Sequence, residues 1–475
     1  MNVLAVDQGT SGTKAVVVDA AGTVLALAEE PVAPVYLPDG GVEVDPQALL
    51  GSVLAAGRRA VAEAGVPLAA VALANQGETV LAWDRTDGRP LGPAVVWQDR
   101  RSQGVCDARA EHAAEVARRT GLVLDPYFSA PKLRWLRDHV TAGGVVTTTD
   151  TWLVHALTGA FVTDTSTASR SLLLGLDDVA WDPWLLDVFG LAAEPLPDVV
   201  ASDAVVGSTT AFGPAVPVTG LVVDQQAALL AQGCVAPGTA KCTYGTGAFL
   251  LAQTGSAAVR STAGLTTSVA WTLRGRTSYC VDGQVYTAAS AVRWLTDLGV
   301  LAGGGPALDA TAADDSDGVL AVPALAGLAA PFWAPGATAS LTGMTLSTGR
   351  GHVVRAVLEG VAAQVALLVG LVATDLGRPM ARLRVDGGLT RSVVLMQAQA
   401  DLAQVPVDVY PSAHATPLGA AACARLALDP ALAVEDAVPD WTPERTYEPR
   451  WSADRAADFL GRWQAAAWGA AGRTS

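Results

Sequence analysis

The stretch Asp7-Gln8-Gly9-Thr10-Ser11-Gly12-Thr13-Lys14 lies between two apolar runs, Asn2–Val6 and Ala15–Asp19. Apolar run, polar turn, apolar run is the pattern of a β-hairpin, and glycine with hydroxyl and carboxamide side chains is the chemistry a tight turn favours. The layout recurs downstream. Lys241–Thr243 leads into Tyr244-Gly245-Thr246-Gly247 and then into the apolar Ala248–Ala252. A third glycine turn, Asp386-Gly387-Gly388, follows the strand-like Leu383–Val385 and precedes a helix from about Ser392. Between the first two, Val216–Val223 is apolar and stops at Asp224-Gln225-Gln226, which opens a helix. Two halves that each begin with a strand and a Gly/Thr hairpin predict a duplicated α/β architecture divided near residue 220, as domains 1–220 and 221–475. At 475 residues the chain also exceeds the ~250–300 residues at which a single core stops growing. Helical patterning over Gln47–Ala64, Arg134–His139 and Thr151–Thr158, and strand-like Val71–Ala74 and Ala94–Trp97, fill in the first half.

Composition removes several classes of function. Hydrophobic residues make up 51% and charged residues 16%, and 31 Lys and Arg against 46 Asp and Glu give a formal charge of −15. An acidic chain without clustered cations does not suit nucleic acid, whose phosphates need them. Cys106, Cys234, Cys242, Cys280 and Cys423 are scattered, odd in number and without a CxxC pair, which predicts neither a disulfide framework nor a zinc site. Apolar runs such as Val353–Ala373 carry Arg355, Glu359 and Gln364, so no membrane span is expected. The cytoplasm is the default compartment.

A phosphate group needs several backbone N–H donors aimed at it and a backbone that can approach closely. The turn at residues 7–14 offers glycines, hydroxyls, a cation in Lys14 and, in Asp7, a carboxylate suited to Mg²⁺ through bound water. Gly245, Thr246 and Gly247 form a second such cradle, and Gly387 and Gly388 a third; each is also an ordinary turn composition. Asp224, between strand and helix, is placed for an N-cap or for a general base, and the pattern alone leaves both open. Asn75-Gln76-Gly77-Glu78 and Trp97-Gln98-Asp99-Arg100 follow apolar runs, where α/β proteins bind ligands, although solvated loops have the same look. The five His residues show no metal spacing, and Trp441, Trp451, Trp463 and Trp468 fit the packing of a terminal helix.

Longer stretches carry a resemblance. Tyr127–His139 (YFSAPKLRWLRDH) and Ala339–Glu359 (ASLTGMTLSTGRGHVVRAVLE) match the two signature patterns of the FGGY carbohydrate kinases. DQGTSGTK at Asp7, VVWQDRRS at Val95, VTDTSTASR at Val162, VDQQAALLAQG at Val223, TYGTGAFLL at Thr243 and RVDGGLTRSVVLMQAQAD at Arg384 resemble the members that phosphorylate glycerol. The resemblance implies an actin/hexokinase-like (RNase H-like) ATPase fold: two α/β domains, each on a mixed five-stranded sheet, closing over a central cleft. It implies transfer of a phosphoryl group from ATP, with Mg²⁺, to a hydroxyl of a small polyol or sugar. By position, Asp7 would organise Mg²⁺, while Thr10, Ser11, Gly12 and Lys14 would meet the transferred phosphoryl group. Thr246 and Gly388 would contact the nucleotide. Asp224 would be the base with Gln225 beside it, and Glu78, Trp97 and Tyr127 would line the acceptor pocket. Ala289, Arg293 and Ser392 occupy nucleotide positions usually held by Gly, Gln and Asn.

Where Gly77 stands, the glycerol-phosphorylating members carry an Arg that hydrogen-bonds the acceptor. Losing a charged hydrogen-bond partner costs ~1.5–3 kcal/mol. The expectation is therefore an opened pocket and an acceptor of four or five carbons, with glycerol as the alternative. A non-metabolic ATPase of the same fold has no use for Glu78, Trp97, Tyr127 and Asp224 together, and Asp7 and Asp224 speak against an inactive, sugar-responsive regulator. Homodimers or homotetramers are expected from the family alone.

Overall fold

The computed structural model describes residues 1–303 and 305–472. Strands β1 (Val3–Gly9) and β2 (Gly12–Val18) form the expected hairpin, paired from Val3↔Val18 to Gly9↔Gly12, so that Thr10 and Ser11 are its two-residue tip. β3 (Val24–Pro31) continues the meander antiparallel to β2. Helix α1 (Pro46–Ala64) follows, with Asp45 as N-cap, proline in the first turn and Gly65 in the left-handed conformation at the C-cap. Its apolar stripe, Leu49, Val53, Ala56 and Ala60, is buried against this sheet. β4 (Ala70–Asn75) then pairs parallel to β1, and β5 (Val216–Val223) parallel to β4.

The second domain repeats the plan. Helix α2 (Asp224–Ala231) leads to β6 (Ala240–Tyr244) and β7 (Ala248–Gly255), a hairpin closed at Tyr244↔Ala248. β8 (Thr266–Leu273) and β9 (Arg276–Val285) extend it antiparallel, β9 lying next to β7. Helices α3 (Ala289–Asp297) and α4 (Arg350–Leu376) come next, before β10 (Leu383–Asp386), α5 (Val393–Ala403) and β11 (Val407–Val409); β10 pairs parallel to β6 and β11 parallel to β10. The sheet cores therefore read β3-β2-β1-β4-β5 and β9-β7-β6-β10-β11, with the same sequence of antiparallel and parallel neighbours. The predicted duplication is present.

The sheets are wider than five strands. Gly207–Thr209 adds an edge beside β5, while β8 and Arg445–Tyr447 flank the second sheet, making six and seven strands. Two of these additions are three residues long, too short to show a period in the sequence.

The two sheets share a core. Helix α6 (Ala415–Leu428), late in the chain, packs on β1, β4 and β5 of the first domain and against α2. Its run of alanines permits this approach. At Gly419 a Cβ would stand 1.9 Å from the Ala227 carbonyl oxygen, so only glycine fits there. Thr416 Oγ1 donates to the Asp224 carbonyl at 3.4 Å, fixing the start of α6 over the start of α2. Helix α4 is long and apolar enough to cross a membrane, yet 78% of its most apolar window is buried inside the protein, and Arg355 pairs with Glu359 along it at 2.7 Å. It is a core helix.

Candidate active site

Strands β4 and β5 and the hairpin tips end at one cleft, where a cavity of about 170 Å³ opens between the domains. Asp224 is on its wall. The residue is the first of α2, and the N-cap position belongs to Val223, whose side chain has no capping atom. The Asp224 carboxylate accepts one protein hydrogen bond, from the Gln225 backbone N–H at 2.6 Å, and is left facing the cavity. Of the two roles open in the sequence, capping is the one the structure does not use. Burial, the Glu78 charge and the opposing pull of Lys241 bring its pKa up to about 6.

Glu78 and Tyr127 line the same cavity as Trp97. Glu78 sits just past β4 at φ +61°, a strained region for a residue with a side chain, costing about 1–3 kcal/mol that the surroundings must offset. What holds it is Arg170, which donates from Nε to Glu78 Oε1. Trp97 donates from Nε1 to Thr10 Oγ1 at 2.9 Å, which ties the acceptor wall to the hairpin tip. Tyr127 meets Trp97 edge-on at 5.6 Å between ring centres. Its backbone turn is gripped by the fully buried Lys132, whose ammonium donates to the carbonyls of Pro126, Tyr127 and Phe128 at 2.8, 2.6 and 2.7 Å. Burial lowers the Lys132 pKa to about 7 against the pull of Glu78, Asp99 and Asp125.

The phosphate-facing side carries Asp7. Among the described residues its carboxylate makes no hydrogen bond, and Oδ1 lies 4.0 Å from where a Cβ on Gly9 would be, beside the turn. Burial, then the negative charge of Asp224, raise its pKa to about 7, while Lys14 lowers it. The two carboxylates thus sense each other. That environment favours a cation. No cluster of three or more His, Cys, Asp or Glu exists among the described residues, so the donor set fits an ion such as Mg²⁺, which keeps its waters and takes one or two protein carboxylates alongside substrate phosphates. Lys14 is paired with Glu29 at 3.2 Å and donates to the Ala413 carbonyl at 3.3 Å.

On the second domain the two glycine turns touch. Gly387 has φ +99°, and a Cβ there would stand 2.4 Å from the Tyr244 carbonyl oxygen, so the Asp386–Gly388 turn lies directly on the Tyr244–Gly247 turn. Thr246 reaches the cavity, and its carbonyl accepts from the Ala288 backbone N–H at 2.9 Å and from Ser290 Oγ at 3.0 Å at the start of α3. Ala289 is half-buried and Arg293 exposed on α3. Ser392 is engaged within the protein. Its hydroxyl caps α5 at the Leu395 N–H (3.1 Å) and donates to Asp309, whose carboxylate also accepts from the Val393 N–H at 2.7 Å. That hydroxyl is occupied within the protein.

A buried chain of side chains joins the two sides. Lys241 donates to Gln225 Oε1 and, at 2.9 Å, to Thr243 Oγ1, and Thr243 donates to Asp386 Oδ1 at 2.5 Å. Reading the sequence does not single out Lys241, Arg170 or Asp282. Their one signal is a charged residue inside an otherwise apolar or small-residue run, which implies a buried partner. Gly77 lines the cavity, and a Cβ there would stand 3.3 Å from Val223 Cγ1.

Comparison with known proteins agrees with this geometry. The model of the N-terminal domain of the FGGY family of carbohydrate kinases matches residues 2–231, and that of the C-terminal domain residues 240–428. A glycerol kinase of Aromatoleum aromaticum is 43% identical over 483 residues, covering 98% of this chain and 97% of its own. One of Gloeobacter violaceus is 44% identical over 436 residues, 89% and 88% of the two chains. Among solved structures, Plasmodium falciparum glycerol kinase with ADP superposes with a TM-score of 0.89 at 29% identity, covering 98% of this chain and 97% of that one. A ligand-bound xylulose kinase of Lactobacillus acidophilus shares the fold, with a TM-score of 0.88 at 21% identity and 98% of each chain covered.

Proposed function

The chain belongs to the FGGY family of carbohydrate kinases, phosphotransferases that act on alcohol groups, and from that premise we propose that it transfers the γ-phosphoryl group of ATP to glycerol. The observation that carries the proposal is the cavity of about 170 Å³, lined by polar and aromatic side chains, with Asp224 on its wall, Thr10 at its rim and Asp7 within electrostatic reach. It has room for a triol. The relatives named above, matched over most of their own length, are glycerol kinases, and that favours glycerol over a longer acceptor.

In this proposal Asp224 takes the proton of the attacking hydroxyl, and Gln225 orients the acceptor beside it. Glu78, Trp97 and Tyr127 bind the acceptor's remaining surface. Phosphoryl transfer asks a protein mainly for alignment and charge neutralisation. The tip Thr10-Ser11-Gly12 and the turns at Gly245–Gly247 and Gly387–Gly388 would supply N–H donors to the phosphates, and Arg293 a cation over the base or ribose. Bound Mg²⁺, held through Asp7, would supply neutralisation of the phosphate charge. Lys14, now paired with Glu29, would add to it.

The test is ADP release by purified protein over glycerol, erythritol, pentitols and ketopentoses. Glycerol should give the highest kcat/KM. A pentitol or ketose preference would overturn the acceptor, and ADP release that needs no polyol would overturn the transfer itself.

A further inference from the structure

Arg170 occupies the acceptor cavity without having been assigned any part in it. The guanidinium is 5% exposed and spans the two domains. Nε is bonded to Glu78 of the first domain; Nη1 is bonded to Asp282 of the second, on β9, at 3.0 Å, and reaches Ser268 Oγ at 3.4 Å. Asp282 is itself pinned, because its other oxygen accepts from Gln284 Nε2. The plane of the group is packed over Phe128 and Tyr127, 5.5 and 5.7 Å from their ring centres. Four neighbours therefore fix the orientation of one planar fork. Among the described residues the remaining nitrogen, Nη2, makes no hydrogen bond and is not one of the enclosed unpartnered polar atoms, while Arg170 lines the cavity. It keeps contact with the cavity space.

We propose that Arg170 is a specificity-determining residue that donates from Nη2 to a hydroxyl of the acceptor, in a position set by Glu78 on one domain and Asp282 on the other. A donor held this way recognises a neutral hydroxyl. With Glu78, Asp282 and Asp224 nearby the cavity carries more negative than positive charge, so it rejects acceptors that bear a carboxylate. Because the two anchors come from different domains, the donor is in place only when the domains meet. The inference rests on the proposed polyol kinase activity.

A substitution crossed with a deletion on the substrate separates recognition from scaffolding. Arg170→Lys keeps the charge but cannot make three divergent bonds from a fixed plane. It should lower kcat/KM for glycerol by about 100-fold, yet for one of 1,2-propanediol and 1,3-propanediol, whichever lacks the recognised hydroxyl, by less than about threefold, with KM for ATP unchanged. Equal losses for all three acceptors would overturn the inference, since a purely structural residue penalises each alike. Should the lysine variant not fold, a crystal structure of the unsubstituted protein with glycerol decides: Nη2 about 3 Å from an acceptor oxygen is expected, and more than about 4 Å overturns it. A wild-type protein inert towards every polyol would remove the kinase proposal, and this inference with it; an active one with equal losses removes this inference alone.

Discussion

The two sides of the cleft are built by opposite means. The side proposed to take the acceptor is closed: Glu78, Lys132, Arg170 and Asp282 are all buried, with Arg170 bonded to Glu78 and Asp282 and Lys132 to three backbone carbonyls. The side proposed to take the nucleotide meets the cleft with two glycine turns and open surface, its buried Lys241, Thr243 and Asp386 lying behind them. Around a Cβ placed on Gly388 there is no atom within 4 Å, and Arg293 on α3 is exposed. The difference follows from what each ligand brings. A small neutral polyol offers little binding surface and must find its donors and acceptors already fixed in a dry site. A nucleotide brings charge and a large planar base, so it needs N–H groups and room more than it needs wired side chains.

The comparison breaks most severely if its junction is removed. Asp224→Asn keeps the shape of the site and deletes the proton acceptor, so kcat should fall by about 10³-fold or more while nucleotide affinity stays within about twofold. Single-turnover kinetics with a binding titration of ADP would check both; near-normal turnover would mean that the base is another group. The wild-type acid limb belongs to the same test. With its pKa raised to about 6, Asp224 loses its charge as pH falls through that value, so kcat/KM should drop about tenfold per unit below it. Glu78 raises this limb and Lys241 lowers it.

The nucleotide side should be sensitive in its backbone. In Gly387→Ala the new methyl meets the Tyr244 carbonyl at 2.4 Å in a left-handed conformation, and the two turns must separate. The expected result is a rise in KM for ATP of about 10–100-fold with KM for the acceptor little changed. A rise in both would show that the turns support the whole cleft.

A smaller effect falls on stability. Asp7 has its pKa raised from 3.8 to about 7, so the folded protein holds that proton more tightly than the unfolded chain does. The stability this confers is fully present below pH 4 and is lost as pH rises through 7. Asp7→Asn should therefore stabilise the ligand-free protein at pH 8, by a free energy on the order of 1–2 kcal/mol after discounting for its partial accessibility, seen as a higher Tm, and give no gain at pH 4. Thermal melts at the two pH values check the sign, and unchanged Mg²⁺ dependence of the variant would count against Asp7 as the metal's residue.

What the sequence disclosed follows the same division. The hairpin tips at Thr10-Ser11 and Gly245–Gly247 were legible because turn chemistry is local, and so was α2 after β5. The acceptor scaffold was not. Arg170 lies 92 residues from Glu78 and 112 from Asp282; such pairs have no period and no spacing. At Gly77 the missing side chain was visible, whereas the Val223 methyl beside it belongs to a strand nearly 150 residues away. Asp224 stood between: its position was plain in the sequence, and the fold gives the N-cap position to Val223 instead.

Arg293 gives the finest test of the contrast. It is exposed, no hydrogen bond or ion pair among the described residues holds it, and it projects from α3 one turn after Ala289. An exposed guanidinium stacking on a base or bonding a ribose contributes about 0.5–1 kcal/mol, because water competes and the free side chain must be ordered. Arg293→Ala should thus raise KM for ATP by about two- to fivefold and leave kcat, the acceptor KM and Tm where they were. That profile is the opposite of the one expected for Arg170, a residue of the same type enclosed by four partners. If Arg293→Ala instead lost as much as Arg170→Lys, an exposed arginine on the open side would bind its ligand as strongly as a buried one on the closed side. The two sides would then not differ in how they hold their ligands, and the division drawn from burial and hydrogen bonding would fail at its most lightly held residue.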